Sequence, residues 1–240
     1  MRLLIVLALF VYACSPSKVV TKENIAIDST IDGQAISDSI IAPYKSSLDA
    51  TMNEVIGVAD VEMKRIKTEK ETLLGNFVSD LTYEYVYEMS LLDTFMFGTP
   101  DMCILNFGGL RTSIPKGNIT RGLVYELMPF ENDVVVLQLS KEEMIQMKRY
   151  LASTPQPISR ATLTISDSDT IFSVRDTPLE DRDYVVVTSD YLAGGGDHMS
   201  FFKGKEFTRL KKLRDVIMDH IEGNPDPMKA EITGRITYGK

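Results

Sequence analysis

The sequence is poor in histidine, cysteine and tryptophan: its 240 residues include two His, two Cys and no Trp. Two cysteines exclude a disulfide framework and any Cys-rich zinc module. A dinuclear phosphatase, or a zinc site with three His ligands, needs more imidazole than two histidines supply. The composition therefore counts against a self-contained metallohydrolase.

Positive charge is also in deficit, with 26 Lys and Arg against 34 Asp and Glu and a net charge of −8. A nucleic-acid polymer is excluded as the main partner, because there is no large cationic excess to displace its counterions. The remaining composition, 44% hydrophobic and 25% charged, is typical of a globular protein with a substantial core.

The N-terminus has the pattern of a targeting segment. Arg2 precedes an apolar run, Leu3–Tyr12, which is too short for a bilayer span of about 20 residues. Ala13 and Cys14 then follow, and a small residue before a cysteine at this point resembles a bacterial lipobox. We therefore expect residues 1–13 to be a lipoprotein signal peptide, with Cys14 lipidated and the protein anchored in the bacterial cell envelope outside the cytoplasm. An ordinary secretory signal with an incidental cysteine is the alternative.

The rest of the chain divides into a polar tether over 14–36 and one domain over 37–240. Apolar spacing predicts helices over 37–54, 71–90, 140–151 and 209–221, and strands over 102–105, 133–139, 161–165, 171–174, 184–189 and 231–238. These helices and strands alternate irregularly, which indicates an α+β fold with a mixed β-sheet and packed helices.

Two segments near predicted strands have more glycine and polar residues than a turn requires. Gly108 and Gly109 allow close backbone approach to a ligand, and Arg111 can fork onto a phosphate or carboxylate. A tight turn with a solvated arginine fits equally well. In the second segment, Phe130 and Asn132 lead into a predicted strand, where they can stack on and hydrogen-bond to a base edge. A core position for Phe130 is the alternative.

A third segment, 190–198, contains three consecutive glycines directly after a predicted strand. Such a run suits neither a helix nor a strand interior. It predicts a flexible loop that exposes Tyr191 and Asp197 at its two ends.

Five motifs in this order resemble the C-terminal domain of the 5'-nucleotidase family. The likeness extends from Ile36 to Ile236, nearly the whole mature chain. The motifs are Glu71–Asn76, Gly108–Arg111, Gly117–Thr120, Pro129–Asn132 and Gly195–Asp197.

The resemblance implies a substrate-recognition site. In the family two aromatic rings sandwich the base, and the matching residues here are Phe130 and Tyr191. Asn132 matches the residue that reads the base edge, Asp197 the carboxylate that accepts from ribose hydroxyls, and Arg111 an arginine that steers the phosphate. The loops that let these side chains converge contain Gly108, Gly109, Gly195 and Gly196.

Further phosphate-binding arginines of the family have no one-to-one match among the cations Arg65, Lys67 and Lys70.

The resemblance also implies that the metal-binding half is missing as a unit. Full-length members carry an N-terminal metallophosphoesterase domain whose Asp, His and Asn residues hold two metals. Here about 22 tether residues precede the first helix, and no Gly-Asn-His-Glu motif is found. His198 borders the expected pocket, and His220 is expected on the surface. We therefore expect no catalytic residue, metal ligand or cofactor in this chain, and divalent metals only in a partner.

Three functions remain open from the sequence. The first is the nucleotide- or nucleoside-recognition half of a split 5'-nucleotidase, which needs a separate metallophosphoesterase protein for catalysis. The second is a surface lipoprotein that binds nucleotides or nucleosides without a catalytic partner. The third is a structural remnant that binds neither.

Overall fold

The structure is a computed structural model that describes residues 24, 26–28, 35–66, 68–92, 98–166 and 170–239. The predicted signal peptide, the lipidation site Cys14 and most of the predicted tether lie outside the described residues. The chain divides into two compact units, residues 1–44 and 45–240. The predicted boundaries at 13/14 and 36/37 stay predictions.

The helices and strands follow most of the predicted segments. The helices are α1 (Ala35–Met52), α2 (Leu73–Leu92), α3 (Arg121–Leu127), α4 (Lys141–Ser153), α5 (Asp190–Ala193) and α6 (Leu213–Gly223). The strands are β1 (Val55–Ala59), β2 (Met102–Ile104), β3 (Gly117–Thr120), β4 (Asp133–Leu139), β5 (Ile158–Ser159), β6 (Ala161–Ile165), β7 (Thr170–Val174), β8 (Thr177–Pro178), β9 (Tyr184–Ser189), β10 (Phe207–Lys212) and β11 (Ile236–Tyr238). Short 3₁₀ turns cover Gly196–His198 and Ser200–Phe202.

The larger sheet of the described residues has the strand order β10-β4-β9-β2-β5. Strand β2 runs parallel to β9, while β4 runs antiparallel to both β9 and β10, so the sheet is mixed. A second sheet has the order β11-β6-β7-β8. One apolar core includes side chains of α2, α3 and α6, and the other includes side chains of α4 and the second sheet. The predicted α+β fold with a mixed sheet is confirmed.

Helix α4 shows how a local pattern becomes structure. Ser140 Oγ accepts a hydrogen bond from the Glu143 backbone N–H, and the Glu143 carboxylate accepts one from the Ser140 N–H. This reciprocal pair satisfies two N–H groups at the start of the helix. Behind it, Met144, Met147 and Leu151 are buried.

The predicted helix over 209–221 is wrong at its start. Residues 207–212 form strand β10, which pairs with β4, and the helix begins only at Leu213. Pairing with β4 satisfies the backbone N–H and C=O groups of this segment. This tertiary contact outweighs the helical preference that the apolar spacing indicates. Apolar spacing also does not predict strand β1, which pairs with β3.

The predicted strand over 231–238 is shorter than expected and covers only Ile236–Tyr238. The N–H groups of Thr233 and Arg235 donate instead to the carboxylate of Glu71, at 2.9 Å each. These bonds replace strand pairing just before β11. They also contribute to lowering the pKa of Glu71, against burial, which acts in the opposite direction and is the largest influence.

Candidate functional site

Sheet topology brings the three polar segments to one edge of the larger sheet. Strands β2 and β9 are parallel, so their carboxyl ends lie at the same edge. Strand β4 is antiparallel to β9 with Val134 opposite Ser189, so the start of β4 lies there too. The segments 105–111, 128–132 and 190–198 therefore leave the sheet as neighbours.

Asp197 lies at the centre of this edge. Its carboxylate accepts hydrogen bonds from the Asn106 side-chain amide at 2.6 Å and from the Tyr191 hydroxyl at 2.8 Å. Its backbone carbonyl accepts a third from the Tyr150 hydroxyl at 2.9 Å. Asp197 adopts a left-handed backbone with φ of 50°, which Asp tolerates better than most residues.

Asn106 and Tyr150 are members of the site that the sequence reading did not assign. Asn106 is almost fully buried, and its side-chain amide donates a hydrogen bond to the Asp197 carboxylate. One sequence signal could have identified Asn106: its carboxamide follows a fully apolar strand and precedes Gly108 and Gly109. No local signal points to Tyr150, because it lies on α4, far from the glycine loops in the sequence.

Tyr191 is the first candidate wall of the site and is 46% exposed. Its ring packs against the backbone of Gly196, where an added Cβ would lie 2.5 Å from ring atom Cε1. The hydrogen bond to Asp197 raises the pKa of the Tyr191 hydroxyl. Gly195, with φ of 89°, supplies the left-handed turn between Tyr191 and Asp197.

Gly108 and Gly109 make room for the bond between Asn106 and Asp197. A Cβ at Gly108 would lie 3.0 Å from the Asn106 amide nitrogen and 3.4 Å from an Asp197 carboxylate oxygen. A Cβ at Gly109 would lie 3.0 Å from the Asn106 amide oxygen. Both are tight contacts at the start of the polar segment, so side chains there would crowd this bond.

Phe130 is the second candidate wall of the site and is 41% exposed, so it is not a core residue. The guanidinium of Arg111 lies 5.8 Å from the centre of its ring, within range of a cation–π contact. Arg111 itself is exposed and also donates to the Gly108 carbonyl at 3.3 Å. Asn132 is half-buried, and its backbone carbonyl accepts from the Leu213 N–H at 2.9 Å.

The structure also distinguishes the three cations that the sequence left equivalent. Arg65 donates from Nε to the Leu110 carbonyl and from its backbone N–H to Ser113 Oγ, so it lies beside the Arg111 loop. The amine of Lys70 instead lies over the ring of Tyr238. Lys67 lies outside the described residues.

The two histidines do not come together with other metal ligands. His198 is exposed, while His220 is half-buried with its ring edge-on to Phe77 at 5.9 Å. In the part of the chain that the structure describes, no group of three or more His, Cys, Asp or Glu side chains is placed to hold a metal ion. Cys103 is fully buried, and burial raises the pKa of its thiol. None of the described helices is long and apolar enough to cross a membrane.

The arrangement suits a ligand that combines a flat ring, an anionic group and hydrogen-bond donors. Two exposed rings offer stacking faces, and the Arg111 guanidinium offers a fork for an anionic group. Each oxygen of the Asp197 carboxylate has one donor in the structure and capacity for a further one. Hydroxyl or amino groups of a ligand can supply these donors.

Residues 55–204 match the family "5'-nucleotidase, C-terminal domain". The chain belongs to this family. It is 27% identical over 216 residues to the trifunctional nucleotide phosphoesterase protein YfkN of Bacillus subtilis, a match over 75% of this chain and 14% of that protein.

Solved structures agree on the fold. The 5'-nucleotidase precursor from Thermus thermophilus matches with a TM-score of 0.70 and 24% identity, over 85% of this chain and 43% of that one. The NAD nucleotidase of Haemophilus influenzae matches with a TM-score of 0.64 and 19% identity, over 88% of this chain and 42% of that one. The chain therefore spans less than half the length of each of these three proteins. The family predicted from the five motifs is confirmed.

Proposed function

We propose that this protein is the nucleotide- or nucleoside-recognition half of a split 5'-nucleotidase. The observation that carries the proposal is the edge of the larger sheet, where the exposed rings of Phe130 and Tyr191 accompany the hydrogen-bonded Asp197. In the proposed complex the base stacks on these rings, Asn132 reads the base edge and Asp197 accepts from ribose hydroxyls. Arg111 holds the phosphate.

The phosphoryl chemistry is assigned to a separate dinuclear-metal phosphoesterase. Two observations support this division. The family model that matches residues 55–204 is that of the C-terminal domain, and this chain aligns with 43% of the Thermus thermophilus 5'-nucleotidase precursor. Two metals in the partner would activate water and stabilise the phosphoryl oxygens. The residues of this chain bind and orient the nucleotide.

Anchoring through Cys14 belongs to the same proposal. A lipid on Cys14 would hold the protein at the envelope membrane, and a partner on the same surface would gain effective concentration. Mass spectrometry of the native N-terminus tests this directly. We expect a diacylglyceryl cysteine at Cys14, and an unmodified mature N-terminus elsewhere would contradict the anchor.

The main test combines binding and turnover. Calorimetry should show AMP binding to the purified protein, and Asp197→Asn should weaken it about tenfold or more, because a hydrogen bond to a charged group contributes about 1.5–3 kcal/mol. Asn keeps the side-chain size and tolerates the left-handed backbone. The exposed Asp226→Asn serves as the matched control and should leave the affinity unchanged. Equal affinities for the parent and Asp197→Asn would contradict the assigned role.

Measurements of AMP hydrolysis distinguish the recognition half from the proposed catalytic partner. The protein alone should hydrolyse no AMP with Mn²⁺, Zn²⁺ or Mg²⁺ present. A pull-down of the lipoprotein from its native membrane should recover nucleotidase activity that a chelator removes. Hydrolysis by the purified chain that Asp197→Asn abolishes would refute the split enzyme.

The alternative is a surface lipoprotein that binds nucleotides or nucleosides without a catalytic partner. It is favoured by the same two exposed rings and needs no second protein. AMP binding by the parent together with an inactive pull-down would support it. If the parent protein binds neither nucleotides nor nucleosides, and Phe130→Ala behaves like the parent, the result would instead support a structural remnant.

A further inference from the structure

The residues at the end of β10 and the start of α6 hold the backbone on both sides of Phe130. Three consecutive residues, 212–214, each contact a different carbonyl of the Phe130 loop, defined here as residues 128–132. The contacts are Lys212 Nζ to Glu131 O (3.1 Å), Leu213 N to Asn132 O (2.9 Å) and Arg214 Nη1 to Met128 O (3.4 Å). The loop is therefore tied down before and after the ring that it presents.

Arg214 is the buried cation of this set, with a side chain only 8% exposed. Its Nη2 donates to the carboxylate of Glu131, and its guanidinium lies 4.4 Å over the ring of Tyr125. Its Nε is buried and has no hydrogen-bond partner among the described residues. A buried cation needs a nearby anion to offset its lost hydration. Glu131 supplies that anion and follows Phe130 directly in the chain.

Arg209 ties the Phe130 loop to the Tyr191 segment. Its Nη1 lies 2.8 Å from a carboxylate oxygen of Asp133 and 2.7 Å from one of Asp190. The backbone N–H of Asp133 also donates to Asp190, at 3.2 Å. Asp133 directly follows the Phe130 loop, and Asp190 directly precedes Tyr191. One guanidinium thus joins the attachment points of both walls.

We propose that Arg214 and Arg209 are positioning residues for base recognition. Arg214 holds the Phe130 loop in place, and Arg209 holds that loop at a fixed distance from Tyr191. Together they set the gap in which a base stacks, without touching the ligand themselves. This inference rests on the proposed function, because it assumes that Phe130 and Tyr191 receive a base.

The test compares AMP with ribose 5-phosphate, which carries the same sugar and phosphate but no base. Calorimetry on Arg214→Met should show AMP affinity about tenfold lower, in line with the contribution of one stacked base. Ribose 5-phosphate should bind as it does to the parent. Arg214→Lys, which keeps the charge, should recover part of the AMP affinity. Arg121→Met is the control, because Arg121 also forms ion pairs with carboxylates, in its case Glu54 and Glu222, and it should leave both affinities unchanged.

Equal weakening of both ligands, or of neither, would overturn the proposal. If thermal melting shows that Arg214→Met does not fold, Arg209→Gln gives the same comparison at a side chain that is 53% exposed. For Arg209→Gln we expect about a twofold to fivefold loss for AMP and none for ribose 5-phosphate, and an unchanged AMP affinity would overturn the role of Arg209. A parent protein that fails to bind AMP would contradict the proposed function itself, whereas a binding parent with unaffected variants contradicts only the positioning role.

Discussion

The two walls of the candidate site are held in different ways. Tyr191 is fixed from within its own loop, by Gly196 beneath the ring and by Asp197 six residues further along the chain. The backbone around Phe130 is held by residues far away in the sequence. Arg209 and Arg214 contribute ionic and backbone contacts to it. The first wall depends on local steric fit, and the second depends on charge pairs that only the folded chain brings together.

The largest expected effect comes from breaking the local wall. Gly196→Ala places a Cβ 2.5 Å from the Tyr191 ring and 2.7 Å from the Tyr191 carbonyl oxygen. We expect the ring to shift, the protein to lose about 1–3 kcal/mol of stability from overpacking, and AMP binding to fall about tenfold or more. Thermal melts and calorimetry measure both. Gly223→Ala is the control, since its Cβ would meet nothing within 4 Å, and equal effects at the two glycines would refute the steric account.

The next effect comes from removing the ring of the remote wall. Phe130→Ala should weaken AMP and adenosine by about 1–3 kcal/mol, the contribution of one stacked base. Stability should change little, because the ring is 41% exposed. Tyr87→Ala removes another partly exposed aromatic, lying on α2, and should leave binding intact. A large drop in melting temperature for Phe130→Ala alone would show that the ring is structural.

The smallest effect should appear as a pH dependence of the remote wall. The hydrogen bond from Arg214 lowers the pKa of Glu131 below its ordinary value of 4.5. Because the folded pKa is depressed, the pair stabilises the fold above that ordinary value and loses its effect as pH falls through the folded pKa. The difference in melting temperature between the parent and Glu131→Gln should therefore be present at pH 6 and shrink below pH 4. A difference that grows on acidification would contradict the pairing.

The same contrast explains which parts could be predicted from the sequence. Strands β4 and β9 follow short-range patterns, and they lie where those patterns predict them. The flexible loop predicted over 190–198 is wrong in part, because the short helix α5 and a 3₁₀ turn at Gly196–His198 occupy most of it and Asp197 is half-buried. The family motifs predict Phe130, Tyr191 and Asp197 as site residues, and sheet topology brings the two segments that contain them to one edge. What was missed depends on pairing between distant segments. Residues 209–212 of β10 are predicted as helix from their apolar spacing, whereas β4, about 70 residues earlier in the chain, supplies the pairing that makes them a strand.

The members of the site that were not assigned have the same origin. Tyr150 reaches Asp197 from α4, 47 residues away, and Arg214 reaches Glu131 over 83 residues. Neither residue has a neighbour in the sequence that suggests its contact. An arginine at the second position of an amphipathic helix reads as a solvated charge until the fold places a carboxylate and a ring beside it.

The carboxylate of Asp197 is already hydrogen-bonded in the absence of a ligand. Its two oxygens accept from the Asn106 amide and the Tyr191 hydroxyl, and each keeps capacity for one further donor. In the proposed complex, a ligand donor therefore adds to these hydrogen bonds and does not need to displace them. The two resident donors fix the orientation of the carboxylate in advance, so the entropic cost of ordering this side chain falls on folding and not on binding.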